Sequence, residues 1–463
     1  MLCAHAGAAA IAATRQDETT RRKRVRSEAV TAPNLPFTKH TLDNGLDIIV
    51  HEAHQVPIVA VNVWYHVGSK NERPGRTGFA HLFEHLMFEG SEHHPGGYFP
   101  PLQQAGALLN GSTNTDRTNY WEVVPTSAVD LALWMESDRM GYLLPAVTAE
   151  RFETQRDVVL NERRQNYENR PYGMALMAIS AALFPPEHPY HWMTIGAAED
   201  IKAMRLDDVH EFFRTYYHPA NASLAVAGAI ETTRALDLAG RYFGDLRPGP
   251  EPAPVRAAAT LLREHRLLLE DRVELPRVYI AWHSPAMFGD GDAEMDLAAD
   301  LLAGGKTSRL YRTLVYERRI AVDVTAYQGS RELESFFLIA ATAAPGQSLS
   351  DIATAIDAEL QVLVDSGPSV DEMERAEAQI EAHFLYRLQT VGGKSDQLNA
   401  YNVFCGDPAY FSRDLSRYRD ATRESVRATA ARLLRFDARV VLSVVPQGQL
   451  ALALAGSEPV SVS

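Results

Sequence analysis

Apolar positions alternate from the first folded residues onward. In "FTKHTLDNGLDIIVHEAHQVPIVAVNVWYHVGS" (37–69) a period-2 pattern flanks Asn44-Gly45, a strong signal for a β-hairpin. The next run, "IVAVNVWYHV", is apolar on alternate positions with little polar relief, which suits a strand in a well-covered sheet. Polar residues and a Pro-Gly pair then lead into "GFAHLFEHLMFEG" (78–90), which reads as an apolar helix. "GALLNGSTNTDRTNYWEVVP" (106–125) predicts one or two strands with a half-exposed face. Helices follow over about 129–142 and 149–168, and "ASLAVAGAI" (222–230) closes this half as a strand.

"LRPGPEPAPVRAAA" (246–259) carries Pro248, Pro250, Pro252 and Pro254, so it continues neither a helix nor a central strand. It predicts a stiff linker and a domain boundary. Beyond it the order of elements repeats. "RVYIAWHSP" answers "IVAVNVWYHV", "DLAADLLAGG" (296–305) aligns with "HLFEHLMFEG" (81–90), and "ARLLRFDARVVLSVVPQ" matches "EFFRTYYHPANASLAVAG". Such a repeat is the mark of a duplication. The expected organisation is a tail over 1–36, a first domain over 37–245, the linker over 246–259, a second domain over 260–450 and a tail over 451–463. Length alone would suggest about three domains; the repeat argues for two.

The repeat also isolates a difference. Asp296, Ala299 and Asp300 stand where the first half has His81, Glu84 and His85. If packing required those histidines, the equivalent helix would have kept them. Their loss favours chemistry in the first half.

Composition narrows the classes. The 463 residues are 46% apolar and 22% charged, as in a globular protein, and the net charge of −14 argues against nucleic acid as the main partner. The chain has two cysteines, Cys3 and Cys405, so no disulfide framework is expected. No apolar run reaches the length of a membrane span. The start, "MLCAHAGAAAIAATRQDETTRRKRVRS", has the small apolar residues of a secretory signal, yet no basic residue precedes them. A tail without fixed structure and an export signal both remain open; export would put the chain in a bacterial periplasm.

His81 and His85 lie four apart and share one helix face, half of a tetrahedral zinc site. Glu84 beside them gives H-x-x-E-H, the inverted form of a zinc-hydrolase motif. A catalytic zinc needs a third ligand and an open position. Glu162, in the predicted helix "RFETQRDVVLNERRQNYENRPYG", is the best candidate. The alternative is a pair of histidines decorating an amphipathic helix. His93 and His94 follow the helix and read as loop residues.

With "HLFEHLMFEGS", "RDVVLNE", "NGSTNTDRTNYWEVV" and the duplicated layout, the chain resembles the M16 peptidases, the pitrilysin, insulin-degrading and mitochondrial-processing-peptidase group. The likeness runs from Phe37 to Gln447 and is closest to bacterial short-chain members. It implies an α+β fold of two homologous domains, each a mainly antiparallel sheet with helices largely on one face, enclosing a cavity with a partner subunit. It implies one zinc held by His81, His85 and Glu162, with Glu84 as general base. Phe88 would help form the pocket for the residue after the cut bond, and Asn110, Gly111, Ser112 and Thr113 the edge strand that pairs with substrate backbone. Gly111 stands where the family prefers alanine, which should loosen that strand without preventing pairing.

Two departures qualify the resemblance. Gln155, seven residues before Glu162, replaces a glutamate that supports the site in many members, and brings no charge. An arginine and a tyrosine seven apart, which steady the oxyanion in self-sufficient members, are replaced by Tyr316 and Asp323; Arg318 and Arg319 lie nearby. The expectation is a zinc endopeptidase acting on peptides or unfolded segments, as the catalytic half of a heterodimer whose homologous partner supplies the missing pair, with a homodimer as the fallback. A non-catalytic M16-like scaffold and a zinc hydrolase of non-peptide substrates are the alternatives.

Overall fold

The Asn44-Gly45 turn closes as its residues allow. Gly45 takes φ 89°, and the Asn44 amide donates to the carbonyls of Phe243 and Leu246 (2.7 and 3.1 Å). β1 (Thr38–Thr41) folds back antiparallel on β2 (Asp47–Glu52), with Thr38 opposite Val50. The computed structural model describes residues 35–462. The tail-or-signal segment and Cys3 lie outside the described residues; Cys405 is a free thiol.

Along the first half follow β3 (Ile58–Tyr65), α1 (Phe79–Leu86), β4 (Leu108–Thr113), β5 (Thr118–Pro125), α2 (Val129–Tyr142), α3 (Ala149–Arg163), α4 (Ala175–Leu183) and β6 (Ala222–Gly228). The strands form one sheet in the order β1-β2-β6-β3-β5-β4. All neighbours are antiparallel except β2 and β6. Residues 247–262 are irregular. The second half holds β7 (His265–Asp271), β8 (Arg277–Ser284), α5 (Asp292–Ala303), β9 (Ala321–Gly329), β10 (Ser335–Ala343), α6 (Val391–Cys405), α7 (Phe411–Asp420), β11 (Val440–Pro446) and β12 (Glu458–Pro459). Its sheet runs β12-β7-β11-β8-β10-β9, with β7 parallel to β11 and to β12. The stretch set apart as a C-terminal tail thus contributes an outer strand, placed where β1 stands in the first sheet.

The lack of polar relief in β3 has a structural cause. Val59, Val61, Val63 and Tyr65 enter the first core beside Ile48, Val50, Leu224 and Val226. Asn62 and Trp64 alternate with them, point the opposite way, and are also buried. What covers them is α6, which belongs to the second half. The Asn399 amide donates to the Asn62 carbonyl (2.8 Å), Asn402 to Ser223 Oγ and to Asp47 (2.9 Å each), and Trp64 Nε1 to Asp396 (3.2 Å).

The exchange is reciprocal. α4, from the first half, packs Ala175, Ala178, Ile179 and Leu183 against Leu267, Tyr279, Ala281, Leu338 and Leu442 of the second sheet. Each sheet therefore has its own helices on one face and one helix from the other half on the opposite face. From Phe37 onward the chain is a single compact unit.

A polar cluster joins the halves further. Glu332, between β9 and β10, takes hydrogen bonds from Lys70 and His66, its N–H donates to Asp116, and Tyr190 donates to the same Asp116. Burial alone would raise the Glu332 pKa, but His66 and Lys70 hold it at about 2. No helix among the described residues is long and apolar enough to cross a membrane.

Candidate metal centre

α1 starts after Gly78, whose φ of 92° favours glycine, and the buried Glu72 carboxylate accepts from the N–H groups of Gly78 and Ala80 (3.0 and 2.8 Å). Phe79, Leu82, Phe83 and Leu86 face the core, where the Phe83 ring lies 4.5 Å from Tyr217 and 5.6 Å from Phe213. That packing fixes the rotation of the helix and turns His81, Glu84 and His85 toward α3.

α3 is capped by Thr148, whose hydroxyl accepts from Arg151 N, and is anchored by Phe152, Val159 and Arg163. Two turns apart on its side nearer α1 lie Gln155 and Glu162. Two residues after Glu162, where α3 ends, the chain enters a π-helical turn (Arg164–Glu168), a departure from α geometry often found at functional sites.

His81, His85 and Glu162 converge. Glu162 Oε2 lies 3.4 Å from His85 Nε2 and 3.7 Å from His81 Nε2, and all three donor atoms fall within 4.8 Å of one another. Around a tetrahedral zinc with bonds of about 2.0–2.2 Å, donor atoms stand about 3.3–3.5 Å apart. Two imidazoles and one carboxylate at this separation fit a zinc ion with a position left over. Burial pushes the His81 imidazole down to about 4, so it is neutral and available as a ligand. Burial also lowers His85, but the Glu162 and Glu84 carboxylates outweigh it and leave that ring above its ordinary value. Hydrogen bonding to His85 draws Glu162 below the usual carboxylate range, and Asn166 donates to its other oxygen (3.3 Å).

Glu84 projects on the same side. Burial raises its pKa, against the pull of Thr113, His85 and Arg117. A carboxylate shifted toward neutrality is better matched to accepting and returning a proton.

Phe88 sits in an aromatic nest with Phe99 (4.8 Å), Tyr120 (5.5 Å) and Tyr98 (6.0 Å). Below it the buried Arg139, paired with Glu136, stacks on Tyr98 and Tyr120 (3.9 and 4.1 Å). Gly111 has a packing reason: a Cβ there would meet the Phe88 ring at 3.0 Å and Tyr120 at 3.1 Å. Asn110, Gly111, Ser112 and Thr113 lie on β4, which has a sheet neighbour, β5, on one side only.

Other candidates are held elsewhere. His93 bonds to Asp138 (2.6 Å) in a loop. Asp323, on β9, accepts from Thr342 (2.9 Å) and lies 3.6 Å from Arg277. Tyr316 is 74% exposed, and Arg318 and Arg319 are exposed beside it. Large cavities are lined by residues other than His81, His85 and Glu162. One of about 930 Å³ lies between the far face of the first sheet and the start of α6, and one of about 740 Å³ lies at the junction of the halves. Sequence reasoning passed over Glu72 and Glu89. Glu89 follows the histidine helix, where helical spacing no longer says which way a side chain points, and it accepts from Gln155 Nε2 at 2.6 Å.

The model of the insulinase (peptidase family M16) domain matches residues 47–188, and that of the peptidase M16 inactive domain matches 203–380. The zinc protease PqqE of Helicobacter pylori is 29% identical over 360 residues, covering 76% of this chain and 80% of its own length. The crystal structure of a protease from Helicobacter pylori superposes with a TM-score of 0.84 at 26% identity, over 89% of this chain and all of that one. Subunit 1 of the human mitochondrial cytochrome b-c1 complex is 27% identical over 287 residues, 59% of this chain and 58% of that protein.

Proposed function

We propose that this chain, which belongs to the M16 peptidase family, is a zinc-dependent endopeptidase subunit acting on peptides and unfolded polypeptide segments. The observation that carries the reading is the convergence of His81 Nε2, His85 Nε2 and Glu162 Oε2 beside Glu84. When bound, zinc supplies Lewis acidity, polarising the scissile carbonyl and bringing the pKa of water to about 7. Glu84 accepts the proton of the attacking water and returns it to the leaving amine. The open side of β4 offers backbone groups to an extended substrate, which gives affinity with little demand on sequence. Phe88 and its aromatic nest bound the pocket for the residue after the cut.

The chamber and the oxyanion-stabilising groups come from a homologous partner. Tyr316 and Asp323 replace the residues expected for that role, and Asp323 is occupied by Thr342 and Arg277. The test is zinc analysis and native mass measurement of the complex from its own cell, with cleavage of an unfolded polypeptide by the chain alone and by the complex. One zinc per chain and activity that needs the partner are expected. Full activity of the chain alone would end the heterodimer reading.

A second reading is a non-catalytic assembly subunit, favoured by the likeness to a respiratory-complex subunit. It predicts a chain that purifies without stoichiometric zinc. The complete set of His81, Glu84, His85 and Glu162 argues against it.

A further inference from the structure

The open edge of β4 has two faces, and α1 occupies only one of them. Side chains alternate along a strand, so Leu109, Gly111 and Thr113 share the face of α1, whereas Leu108, Asn110 and Ser112 look the other way. Gly111 marks the first face, because a Cβ there would meet the Phe88 ring at 3.0 Å. On the second face Leu108 is 72% exposed, a liability on an edge with no neighbour. Asn110 turns back on its own strand, its Oδ1 accepting from Gly111 N–H (2.9 Å). Leu108 borders the cavity of about 930 Å³, whose other apolar walls include Val56, Ile58, Ala60, Trp121 and Val123. Cross-strand pairs build this wall: Leu108 stands opposite Val123, and Val123 opposite Ala60. The start of α6 closes it from the second half, where a Cβ on Gly392 would meet Val123 at 3.7 Å. The Ser112 end is polar, with Arg117 donating to the Ser112 carbonyl and hydroxyl (2.8 and 2.6 Å) and Asp396 accepting from Trp64 Nε1 (3.2 Å).

The direction of a bound substrate follows from α1. Its start lies at the turn end of β4: Glu72 accepts from Gly78 and Ala80 N–H, and the nearby Ser69 and Lys70 N–H groups donate to the Asn114 and Thr115 carbonyls (3.1 and 2.9 Å). Its other end leads to Phe88, against Gly111. Passing from the histidines to Phe88 is therefore passing from Thr113 toward Leu108. A strand added to β4, with the first residue after the cut beside Phe88, continues toward Leu108, and its next side chain points to the opposite face. That side chain meets Leu108 directly or across the diagonal, within reach of long and aromatic groups. We propose that the cavity beside Leu108 is a second specificity site, which takes a large apolar side chain from the second residue after the cut. The inference rests on the reading of β4 as the substrate edge of a zinc endopeptidase, and deepens it by naming a substrate class.

The test maps cuts made by the complex from its own cell in a library of unfolded peptides, read by mass spectrometry. At the second residue after the cut, phenylalanine and leucine should be favoured over aspartate, lysine and glycine. Phenylalanine should exceed alanine there by about tenfold in kcat/KM, the scale of burying one apolar side chain in part. Leu108→Ala should shrink that ratio about threefold, as expected for loss of one cross-strand apolar pair. Leu108→Lys places a charge at an exposed position and should turn the preference toward glutamate, while the profile at the first residue after the cut, set by Phe88, holds. Cleavage with no selectivity at the second residue overturns this inference and leaves the reading of the centre standing. So does selectivity there that neither Leu108 variant alters, or a Leu108-dependent preference that falls on the residue before the cut. A complex that takes up no zinc, or that cleaves none of the peptides, ends the reading of the centre and this inference with it.

Discussion

α1 and α5 are the same element in two copies, and they do opposite things with polar side chains. Each begins after a left-handed glycine, Gly78 at φ 92° and Gly291 at φ 94°, and each is followed by another, Gly90 at φ 113° and Gly305 at φ 103°. On α5 the carboxylates meet donors. Arg417 donates to Asp292 (2.8 Å), Tyr418 to Asp296 (2.7 Å), and Gln328 to both (2.7 and 3.3 Å). On α1 the polar face meets an acceptor, the carboxylate of Glu162. Converging lone pairs are what a cation would join; a structural network is the same kind of set already satisfied by donors. The facing helix decides between them, since α3 brings a carboxylate and α7 brings a guanidinium and a phenol.

The difference can be broken at several strengths. Removing a donor has the largest effect: His85→Ala or Glu162→Ala is expected to abolish stoichiometric zinc and peptide cleavage together, by metal analysis and a fluorogenic peptide assay. Asp300→Ala on α5 should change neither. Glu84→Gln should retain zinc and fold yet lose about 10²–10⁴-fold in kcat; turnover near wild type would remove Glu84 from the mechanism. On the other helix, Arg417→Met strands Asp292 and Asp414, both buried, and should lower stability by about 3 kcal/mol in urea unfolding while leaving zinc content intact.

A weaker effect separates the copies by pH. Burial and the neighbouring Asp292 raise Asp296 to about 7 from 3.8. Between those values the unfolded chain has released a proton that the folded chain still holds, so ionisation erodes stability as pH rises from about 4 to 7. Asp296→Asn removes that loss. Its thermal midpoint should gain on the wild type across this window and hold a constant lead above it; a gap independent of pH would refute the assignment. The smallest effect is at β4, the proposed substrate edge. Gly111→Ala adds a Cβ 3.0 Å from Phe88 and should cost about 1 kcal/mol or less, with cleavage shifted away from peptides bearing a large residue after the cut.

Much of this was legible in the sequence because it is local. The Asn44-Gly45 hairpin, the helices over 129–142 and 149–168 (the second α-helical to Arg163 and π-helical beyond it), and the repeated order of elements follow from period and turn chemistry. The convergence of His81, His85 and Glu162 was anticipated by the four-residue spacing of the two histidines and by family resemblance for Glu162. The helix exchange was not legible. Asn399 and Asn402 look like solvent-facing positions of α6, yet both are buried against the far face of the first sheet. Periodicity tells which side of a helix is apolar, not which sheet receives it, and buried amides invert even that signal. The covered alternation of β3 was the one trace, since a strand buried on both faces requires a second layer from somewhere. Glu89 escaped because its partner is 66 positions away.

The crossing of α4 and α6 makes the chain a candidate for splitting. Cut within 247–262, neither fragment would hold a finished core, because the layer that completes each sheet would reside on the other piece. Co-expressed, the two should reassemble into a zinc-competent particle without a covalent connection; expressed singly, each should expose the sheet face its missing helix shields and aggregate. Hydrolytic function in this chain would then report directly on whether two separate polypeptides have met.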